Sequence, residues 1–367
     1  MRRRTTTKVF IISSVFSAAA VIACGSDRAA APAQHDPVTL PDSDPSPIDS
    51  VRSLVLETYE GSGQTVHPDF LSIPGWPAQR NGLLALTPYP NGMSMYENPV
   101  VYTSRDLLRW TVPVPSLNPV VSPSNGYLSD PDIVYDPDSG QVLMYYRQVA
   151  AENEIMLMRS RDLFAWSAPV RVVHAPNHEV VSPAVVRRSA TDWMMWSVNG
   201  HGGCASAESS VELRRSSDGV TWSDPLPVAL DQPGFAPWHI EVQWVPSRSE
   251  YWALYNAKTT ESCNTPALFF ATSKDGVTWT TYPSPLLERG DAPQFRDIVY
   301  RSTFVFNSET GIVTFWFSGA TYDGARFIWT SAIERRRVAD VFAAVTREPQ
   351  HRTMAIRLGV PKLVDPP

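Results

Sequence analysis

Short apolar segments separated by polar turns follow one another along most of this chain. The segments 142–146, 251–255 and 267–272 are rich in aromatic and β-branched residues, and Gly, Pro, Asn and Asp lie between such segments. Runs of this length and composition predict β-strands. No long stretch of helical period lies between residues 104 and 279, so the pattern predicts an all-β domain.

A short polar motif that ends in tryptophan occurs four times within this pattern. Each copy reads Ser-x-Asp-(Gly/Leu)-x-x-Trp, and successive tryptophans are 56 or 57 residues apart. Ser and Asp side chains hold tight turns by accepting backbone N–H groups, so we interpret the motif as a folding device and not as an active site. A fixed period near fifty, with several strands per unit, is typical of β-propeller blades. The copies occupy residues 104–110, 160–166, 216–222 and 273–279.

The same pattern sets the number of blades and the limits of the domain. A fifth unit without the turn motif begins at Asp297, and strand-like residues 53–57 come before the first unit and could complete a ring. The sequence therefore predicts a five-bladed β-propeller over residues 51–333. The apolar spacing within 334–348 predicts a short amphipathic helix in a C-terminal extension, residues 334–367.

The first 23 residues have the form of an export signal. Basic residues precede an apolar stretch, 9–23, that is too short to span a bilayer comfortably. The sequence Val21-Ile-Ala-Cys24 resembles a bacterial lipobox, in which the cysteine becomes the lipidated first residue of the mature protein. Residues 24–50, rich in Ala, Pro, Asp and Ser, predict a disordered tether. We expect an exported protein anchored through Cys24, at the outer membrane or the cell surface; the alternative is a plain signal peptide without lipidation.

The net charge restricts the classes of binding partner, and the cysteines indicate a disulfide. The formal net charge is −6 before the basic signal is removed, so an acidic exterior argues against a nucleic-acid partner. The sequence predicts a monomer that touches the membrane only through its lipid. Besides Cys24, the chain contains Cys204 and Cys263 in nearly equivalent loops of adjacent repeats. In an oxidising compartment we expect them to form a disulfide, the alternatives being two free thiols or a metal site.

Candidate chemistry lies where the innermost strands line the channel of a propeller. Residues at equivalent positions of these strands converge at one mouth, and residues two positions further along face the same side. The first row is His67, Asp130, Ser182, His239 and Tyr300, and the second row is Asp69, Asp132, Ala184, Glu241 and Ser302. Further polar residues follow at the ends of the second strands, and Trp76, Trp238 and Trp244 offer flat faces to sugar rings. The predicted substrate-binding residues are Asp69, Glu97, Arg147, Asn199, Trp238, Asn256, Tyr300 and Arg301.

The segment Ser129-Asp-Pro-Asp-Ile-Val-Tyr135 and the four turn motifs resemble those of five-bladed propeller glycoside hydrolases. These are the arabinanases and β-xylosidases of family 43, with relatives in families 32, 62, 68 and 130. The resemblance covers roughly residues 60–333 and implies three carboxylates from the first three blades: a base, a pKa-modulating Asp and an acid Glu. The matching positions here are His67, Asp130 and Ser182, and only Asp130 keeps its residue type.

The leading hypothesis is hydrolysis of glycosidic bonds in an oligo- or polysaccharide at the channel mouth. Asp130 would be the base and Glu241 the acid, with Asp69 or Glu179 as substitutes, and His67 and His239 complete the catalytic candidates. The loss of two of the three expected carboxylates favours the alternative of a non-catalytic glycan-binding or scaffold protein.

Two other chemistries stay open from the residue types alone. In a polysaccharide lyase, Arg301 would neutralise a uronate carboxylate while His67, His239 or Tyr300 moved the proton. His67, His239 and a carboxylate also have the ligand types of a metal site, but no short ligand spacing supports one. The sequence therefore predicts no cofactor, and a channel cation such as Ca²⁺ is left open.

Overall fold

Five antiparallel sheets form the blades of a five-bladed β-propeller, as the repeat period predicts. The computed structural model describes residues 51–73, 82–114, 117–176, 178–204, 206–259, 263 and 265–348. The export signal, Cys24, the tether and Trp76 lie outside the described residues. Among the described residues, no helix has the length and apolarity needed to cross a bilayer.

The strands follow the chain blade by blade, except that β1 (Arg52–Ser53) belongs to the last blade. The first blade contains β2 (Thr65–Leu71), β3 (Gly82–Pro88) and β4 (Val100–Ser104). The second contains β5 (Tyr127–Asp136), β6 (Gln141–Val149), β7 (Asn153–Ser160) and β8 (Val170–Ala175). The third contains β9 (Val181–Ser189), β10 (Asp192–Asn199), β11 (Ser210–Ser216) and β12 (Leu226–Pro227).

The last two blades are the larger ones. The fourth contains β13 (Ala236–Val245), β14 (Glu250–Lys258), β15 (Ala267–Ser273), β16 (Trp279–Thr281) and β17 (Leu287–Glu288). The fifth adds β18 (Ile298–Val299), β19 (Thr303–Asn307), β20 (Ile312–Tyr322) and β21 (Phe327–Arg337) to β1. Because β1 pairs with β21, the beginning and the end of the propeller share one sheet and close the ring. Strand β21 runs to Arg337, past the predicted limit at residue 333.

The repeated motif forms the turn that its residue types predict. In the third blade the Ser216 hydroxyl accepts the N–H of Gly219, and Asp218 Oδ1 accepts the N–H groups of Val220 and Thr221 at 2.7 Å. The other three copies repeat these bonds. The fourth motif residue has positive φ, which glycine adopts freely; in the first two copies it is a fully buried leucine, Leu107 or Leu163. Burial of the leucine offsets the cost of that conformation.

The innermost strand of every blade is irregular at the first-row position. In blades one to three, the row residue has a φ between 52° and 56°, is followed by proline, and coincides with a shift of strand register. In blade four the register shifts between Pro237 and His239, and in blade five the inner strand is broken between β18 and β19. Such bulges re-aim side chains and release backbone groups from the sheet ladder. The irregularity therefore marks the place where side chains turn into the channel.

Two further sequence predictions are confirmed outside the channel. Cys204 and Cys263 form a disulfide between the loops of blades three and four, with their Cα atoms 4.9 Å apart. The predicted C-terminal helix is α1 (Val338–Val345), shorter than the apolar pattern suggests. Its Val341 and Val345 are buried, and the ring of Phe342 packs edge-on against Trp252 and Phe270.

Candidate functional site

Four first-row side chains lie together as one cluster in the channel, and three of them, Asp130, Ser182 and His239, are within hydrogen-bond distance of one another. Oδ1 of Asp130 lies 2.9 Å from Nδ1 of His239 and accepts the Ser182 hydroxyl at 2.8 Å. Nε2 of His67 lies 3.7 Å from the same Oδ1. The other oxygen of Asp130 accepts the hydroxyl of Ser129 at 2.9 Å. Each of these side chains is at most 2 % exposed, so the structure brings together residues that are up to 172 positions apart in a buried polar centre.

Aromatic rings border this cluster. The Tyr300 ring lies 4.4 Å from the His239 ring and 5.3 Å from the His67 ring, centroid to centroid. The Tyr300 hydroxyl accepts the indole N–H of Trp238 at 3.2 Å. Burial raises the pKa of Tyr300 well above its usual value, so the phenol stays neutral and can donate a hydrogen bond.

Burial also decides the charges of the cluster. It lowers the pKa of His67 to about 3 and lowers that of His239, so both imidazoles are neutral at pH 7. Burial alone would raise the pKa of Asp130, but His67, His239 and the hydrogen bond from His239 hold it well below its usual range. The cluster therefore holds one carboxylate anion between two neutral imidazoles.

The second row forms a separate layer around one guanidinium. Arg301 Nη2 lies 3.2 Å from Oε2 of Glu241 and 3.7 Å from Oδ1 of Asp132. Burial raises the pKa of Asp69 to about 6, that of Glu241 to about 8 and that of Asp132 well above the usual range. Three fully buried carboxyls around one cation are thus partly protonated at neutral pH.

This layer satisfies backbone groups at the inner-strand bulges. Arg301 donates to the carbonyl oxygens of Pro131 and Pro183, the residues that follow Asp130 and Ser182, at 2.8 and 3.2 Å. Oδ2 of Asp69 accepts the N–H of Ile133 in the next blade, and Oδ2 of Asp132 accepts the N–H of Val185 in the blade after that. The second row thus ties neighbouring blades together and supports the first row.

These contacts bear on the residues predicted as acids and bases. Glu241 is 1 % exposed, accepts a hydrogen bond from Gln243 at 2.8 Å and pairs with Arg301. Asp69 binds Ile133 and accepts the hydroxyl of Thr303 at 3.2 Å. Glu241 as the acid and Asp69 as a substitute stay predictions, and the contacts of both residues in this structure suit a supporting role.

The predicted substrate-binding residues divide into several environments. Oε1 of Glu97 lies 3.8 Å from Nδ1 of His67, beside the cluster. Asn256 Oδ1 accepts the backbone N–H of His239 at 2.7 Å, so this residue positions the histidine. Arg147 donates to Asn153 and lies 3.9 Å from Glu179, whereas Asn199 caps the turn at His201.

The cluster also has the donor set of a metal site. One ligand atom each from His67, Asp130 and His239 lie within 4.8 Å of one another. Nε2 of His67 and Nε2 of His239 are buried and have no hydrogen-bond partner among the described residues. The Thr87 hydroxyl lies 3.0 Å from Nδ1 of His67, so a proton held there leaves the lone pair on Nε2. Two neutral imidazoles and a carboxylate fit a transition-metal ion better than the all-oxygen preference of Ca²⁺.

The chain is 28% identical over 328 residues to an A type blood N-acetyl-alpha-D-galactosamine deacetylase from Flavonifractor plautii, an alignment covering 76% of this chain and 41% of that protein. The chain thus spans about two fifths of the length of this relative. No family model matches the sequence.

Solved structures share the fold. The crystal structure of an N-acetylgalactosamine deacetylase from F. plautii, in complex with blood group B trisaccharide, matches with a TM-score of 0.74 at 22% identity, over 81% of this chain and 97% of that one. A thermostable family-43 glycoside hydrolase matches with a TM-score of 0.55 at 13% identity, over 74% and 89%. The GH62 α-L-arabinofuranosidase of Coprinopsis cinerea gives 0.56 at 13%, over 79% and 97%. At these identities the likenesses establish the five-bladed propeller.

Sequence reasoning missed some residues and placed one differently. Thr87, beside His67, and Lys258, fully buried with its ammonium 5.0 Å from the centre of the Trp238 ring, were not singled out. Lys258 lies two positions after Asn256 on β14, so strand alternation could have indicated it. Trp244 packs against Tyr251 and under Arg188 instead of joining the cluster.

Proposed function

We propose that this chain removes the N-acetyl group from an amino sugar of a glycan, with a divalent cation held by His67, Asp130 and His239. The observation that carries the proposal is the buried cluster of these three residues, in which two imidazole nitrogens have no partner among the described residues. The relative from F. plautii, named as an N-acetyl-α-D-galactosamine deacetylase, supports this choice of substrate.

The hydrogen-bond pattern favours this reaction over two other hydrolytic ones. Cleavage of a glycosidic bond needs two carboxyl groups at a defined separation across the sugar, and the first row contains one, Asp130. A serine nucleophile needs its base and the orienting carboxylate on opposite nitrogens of the histidine. Here Ser182 and Asp130 both meet Nδ1 of His239, which does not suit such a relay.

The side chains around the cluster have distinct tasks in the proposed reaction. A bound divalent cation would polarise the acetyl carbonyl and lower the pKa of a water molecule. Tyr300, kept neutral by burial, donates a hydrogen bond to the acetyl oxygen as negative charge develops there. The water gives its oxygen to the acetate and a proton to the departing amine. Glu97 lies beside Nδ1 of His67, on the side of the ring away from Nε2, and helps to position this imidazole.

The decisive experiment measures acetate release and metal content together. The full chain, supplied with Zn²⁺ or Mn²⁺, is incubated with glycans that end in N-acetylgalactosamine, and both acetate and free monosaccharide are quantified. We expect acetate without monosaccharide, loss of activity with a chelator, and about one equivalent of metal. In Asp130→Asn and His239→Gln both metal content and acetate release should fall at least tenfold.

His174→Gln is the matched control. His174, Glu152 and Glu154 also bring ligand-type atoms close together, but they lie at the surface and are not part of the proposed metal site. His174→Gln should therefore keep both the metal and the activity. Release of monosaccharide by the wild-type chain, or acetate release that survives Asp130→Asn, would contradict the proposal.

We also propose, from the sequence alone, that the protein is exported and anchored through Cys24. Cys24→Ser should move the protein from the membrane fraction to the soluble fraction of the expressing bacterium. Unchanged fractionation would refute lipidation at this residue.

A further inference from the structure

Glu179 is a carboxylate at the channel that the proposed reaction does not use. It lies between β8 and β9, three residues before Ser182 of the first row. A Cβ atom added to Gly200 would lie 1.8 Å from Oε2 of Glu179 and 3.1 Å from Cζ3 of Trp238. The carboxylate therefore fills the space that a glycine leaves open, next to the indole that contacts both His239 and Tyr300.

The two oxygens of Glu179 have different surroundings. Oε1 lies 3.9 Å from the Arg147 guanidinium, too far for a hydrogen bond. Oε2 is buried and has no hydrogen-bond partner among the described residues, although the whole side chain is 22% exposed. A buried carboxylate oxygen without a donor is unfavourable, so this position calls for a donor that a ligand can bring.

Its neighbours hold Glu179 in place without using Oε2. Preceding residue His178 has Nε2 3.5 Å from Glu212 and 3.4 Å from Arg214, both of them buried. Arg147 is itself fixed by two hydrogen bonds to Asn153. The carboxylate thus lies beside charged side chains that have partners of their own.

We propose that Oε2 of Glu179 accepts a hydrogen bond from a ring hydroxyl of the amino sugar and so determines which sugar is bound. This inference rests on the proposed function, because it places the sugar beside Trp238 with its acetyl group at the histidines. Hydrogen bonds from sugar hydroxyls to carboxylates are charge-assisted, and they distinguish sugars by the position of the hydroxyl.

The test combines two variants with a series of deoxy sugars. Glu179→Gln keeps the shape but removes the charge, and Gly200→Ala places a methyl group where Oε2 now lies. With N-acetylgalactosamine, binding to the full chain is measured by calorimetry, and KM and kcat by acetate release. We expect both variants to weaken binding and raise KM about tenfold. In Glu179→Gln, kcat, metal content and melting temperature should stay close to those of the wild type.

Deoxygenated N-acetylgalactosamines identify the hydroxyl. One of the 3-, 4- or 6-deoxy sugars should bind the wild type about tenfold more weakly than the parent sugar, and Glu179→Gln should not distinguish that pair. Glu152→Gln, in an exposed turn, is the control and should retain the discrimination. Unchanged binding in both variants, or loss of metal and kcat in Glu179→Gln, would overturn the inference.

The outcomes separate this inference from the proposed function. If the wild type releases no acetate but still binds N-acetylgalactosamine in a way that Glu179→Gln weakens, the sugar site stands and the deacetylation proposal fails. If acetate is released with equal KM in wild type and Glu179→Gln, the deacetylation proposal stands and the sugar site fails.

Discussion

His67 shows how one residue combines backbone strain, burial and chemistry. It has a φ of 56° directly before a proline, a conformation that both residues disfavour. Its imidazole is 2 % exposed, with Thr87 on one side and Asp130 on the other. Strain of this kind persists where the surroundings fix it and is concentrated at functional sites.

The neutral state of His67 predicts a specific acid sensitivity. Burial lowers its pKa from 6.5 to about 3, so the contribution to stability is complete above pH 6.5 and is lost as the pH falls towards 3. For the metal-depleted protein, this group alone should remove about 2 kcal/mol between pH 7 and pH 5. Urea unfolding of His67→Asn, in which asparagine tolerates the positive φ, should show a correspondingly smaller change over this range.

His201→Asn is the control for that measurement. His201 also has a positive φ but is exposed, so the variant should keep the pH dependence of the wild type. Equal slopes for wild type and His67→Asn would show that His67 is not held neutral in the fold.

Arg301 is the second residue for which burial sets the energy. Its guanidinium contacts backbone or carboxylate atoms of blades two, three and four, and it is 1 % exposed. Arg301→Met would leave the carboxyls of the second row without their cation and the two proline carbonyls without donors. We expect a loss of about 3–5 kcal/mol in the free energy of unfolding, measured with urea.

The control for Arg301 is a surface pair. Arg337 pairs with Asp340 at 2.9 Å, and the two side chains are 68% and 54% exposed, so Arg337→Met should cost less than about 1 kcal/mol. If Arg301→Met were as stable as the wild type, the carboxyls of the second row would not need a cation, and the prediction would be wrong.

At the scale of the element, the turn motif and the inner-strand bulge differ in where their backbone groups find hydrogen-bond partners. The turn closes on itself, because Ser216 and Asp218 satisfy N–H groups within the same few residues. The bulge at Asp130 is open, because the N–H of Ile133 and the carbonyl oxygen of Pro131 find their partners in Asp69 and Arg301, which belong to other blades. Local sequence therefore specifies the turn, whereas the bulge depends on partners from other blades.

The turn provides a prediction at this scale. Hydrogen bonds from Thr221 and Val220 lower the pKa of Asp218 to about 2, so its contribution is complete above pH 3.8 and disappears as the pH falls to 2. Asp218→Ala should cost about 1 kcal/mol at pH 7, whereas Asp218→Asn, which keeps an acceptor, should cost less. Urea midpoints measure both, with exposed Asp224→Ala as the control; equal losses in Asp218→Ala and Asp224→Ala would exclude the capping role.

At the scale of the whole molecule, the ring is held by contacts between distant parts of the chain. Strand β1 pairs with β21, and the disulfide joins loops of blades three and four that are 59 residues apart in sequence. Lys258 donates to the carbonyl oxygen of Cys204, so the disulfide loop is connected to the strand that carries Asn256. The loop therefore supports the channel as well as the ring.

The disulfide gives the prediction at this scale. The double variant Cys204→Ser, Cys263→Ser should lose about 4 kcal/mol, since the bond closes a long loop in the unfolded chain. Urea unfolding of the wild type with and without a reductant is the measurement, and the reduced wild type should match the double variant. A urea midpoint that does not respond to reductant would contradict a stabilising disulfide.

The sequence by itself determined the features that repeat or act locally. The motif period gave the blade number, and strand alternation placed His67, Asp130, Ser182, His239 and Tyr300 in one row, because equivalent positions of a propeller must converge. It also indicated the disulfide and the terminal helix. These features depend on spacing and on short-range hydrogen bonds, which a linear pattern contains.

Only the tertiary structure decided that the first row forms the candidate metal site and that the second row supports it. The sequence places Asp130 in the first row and Glu241 in the second but does not give their charges, whereas in the structure Asp130 lies between two neutral histidines and Glu241 pairs with Arg301. The charges of these two carboxyls depend on desolvation and on partners from other blades. Nε2 of His67 and of His239 is available to a ligand because no described residue hydrogen-bonds to it. These charges and contacts exist only once blades that are far apart in sequence meet at the channel.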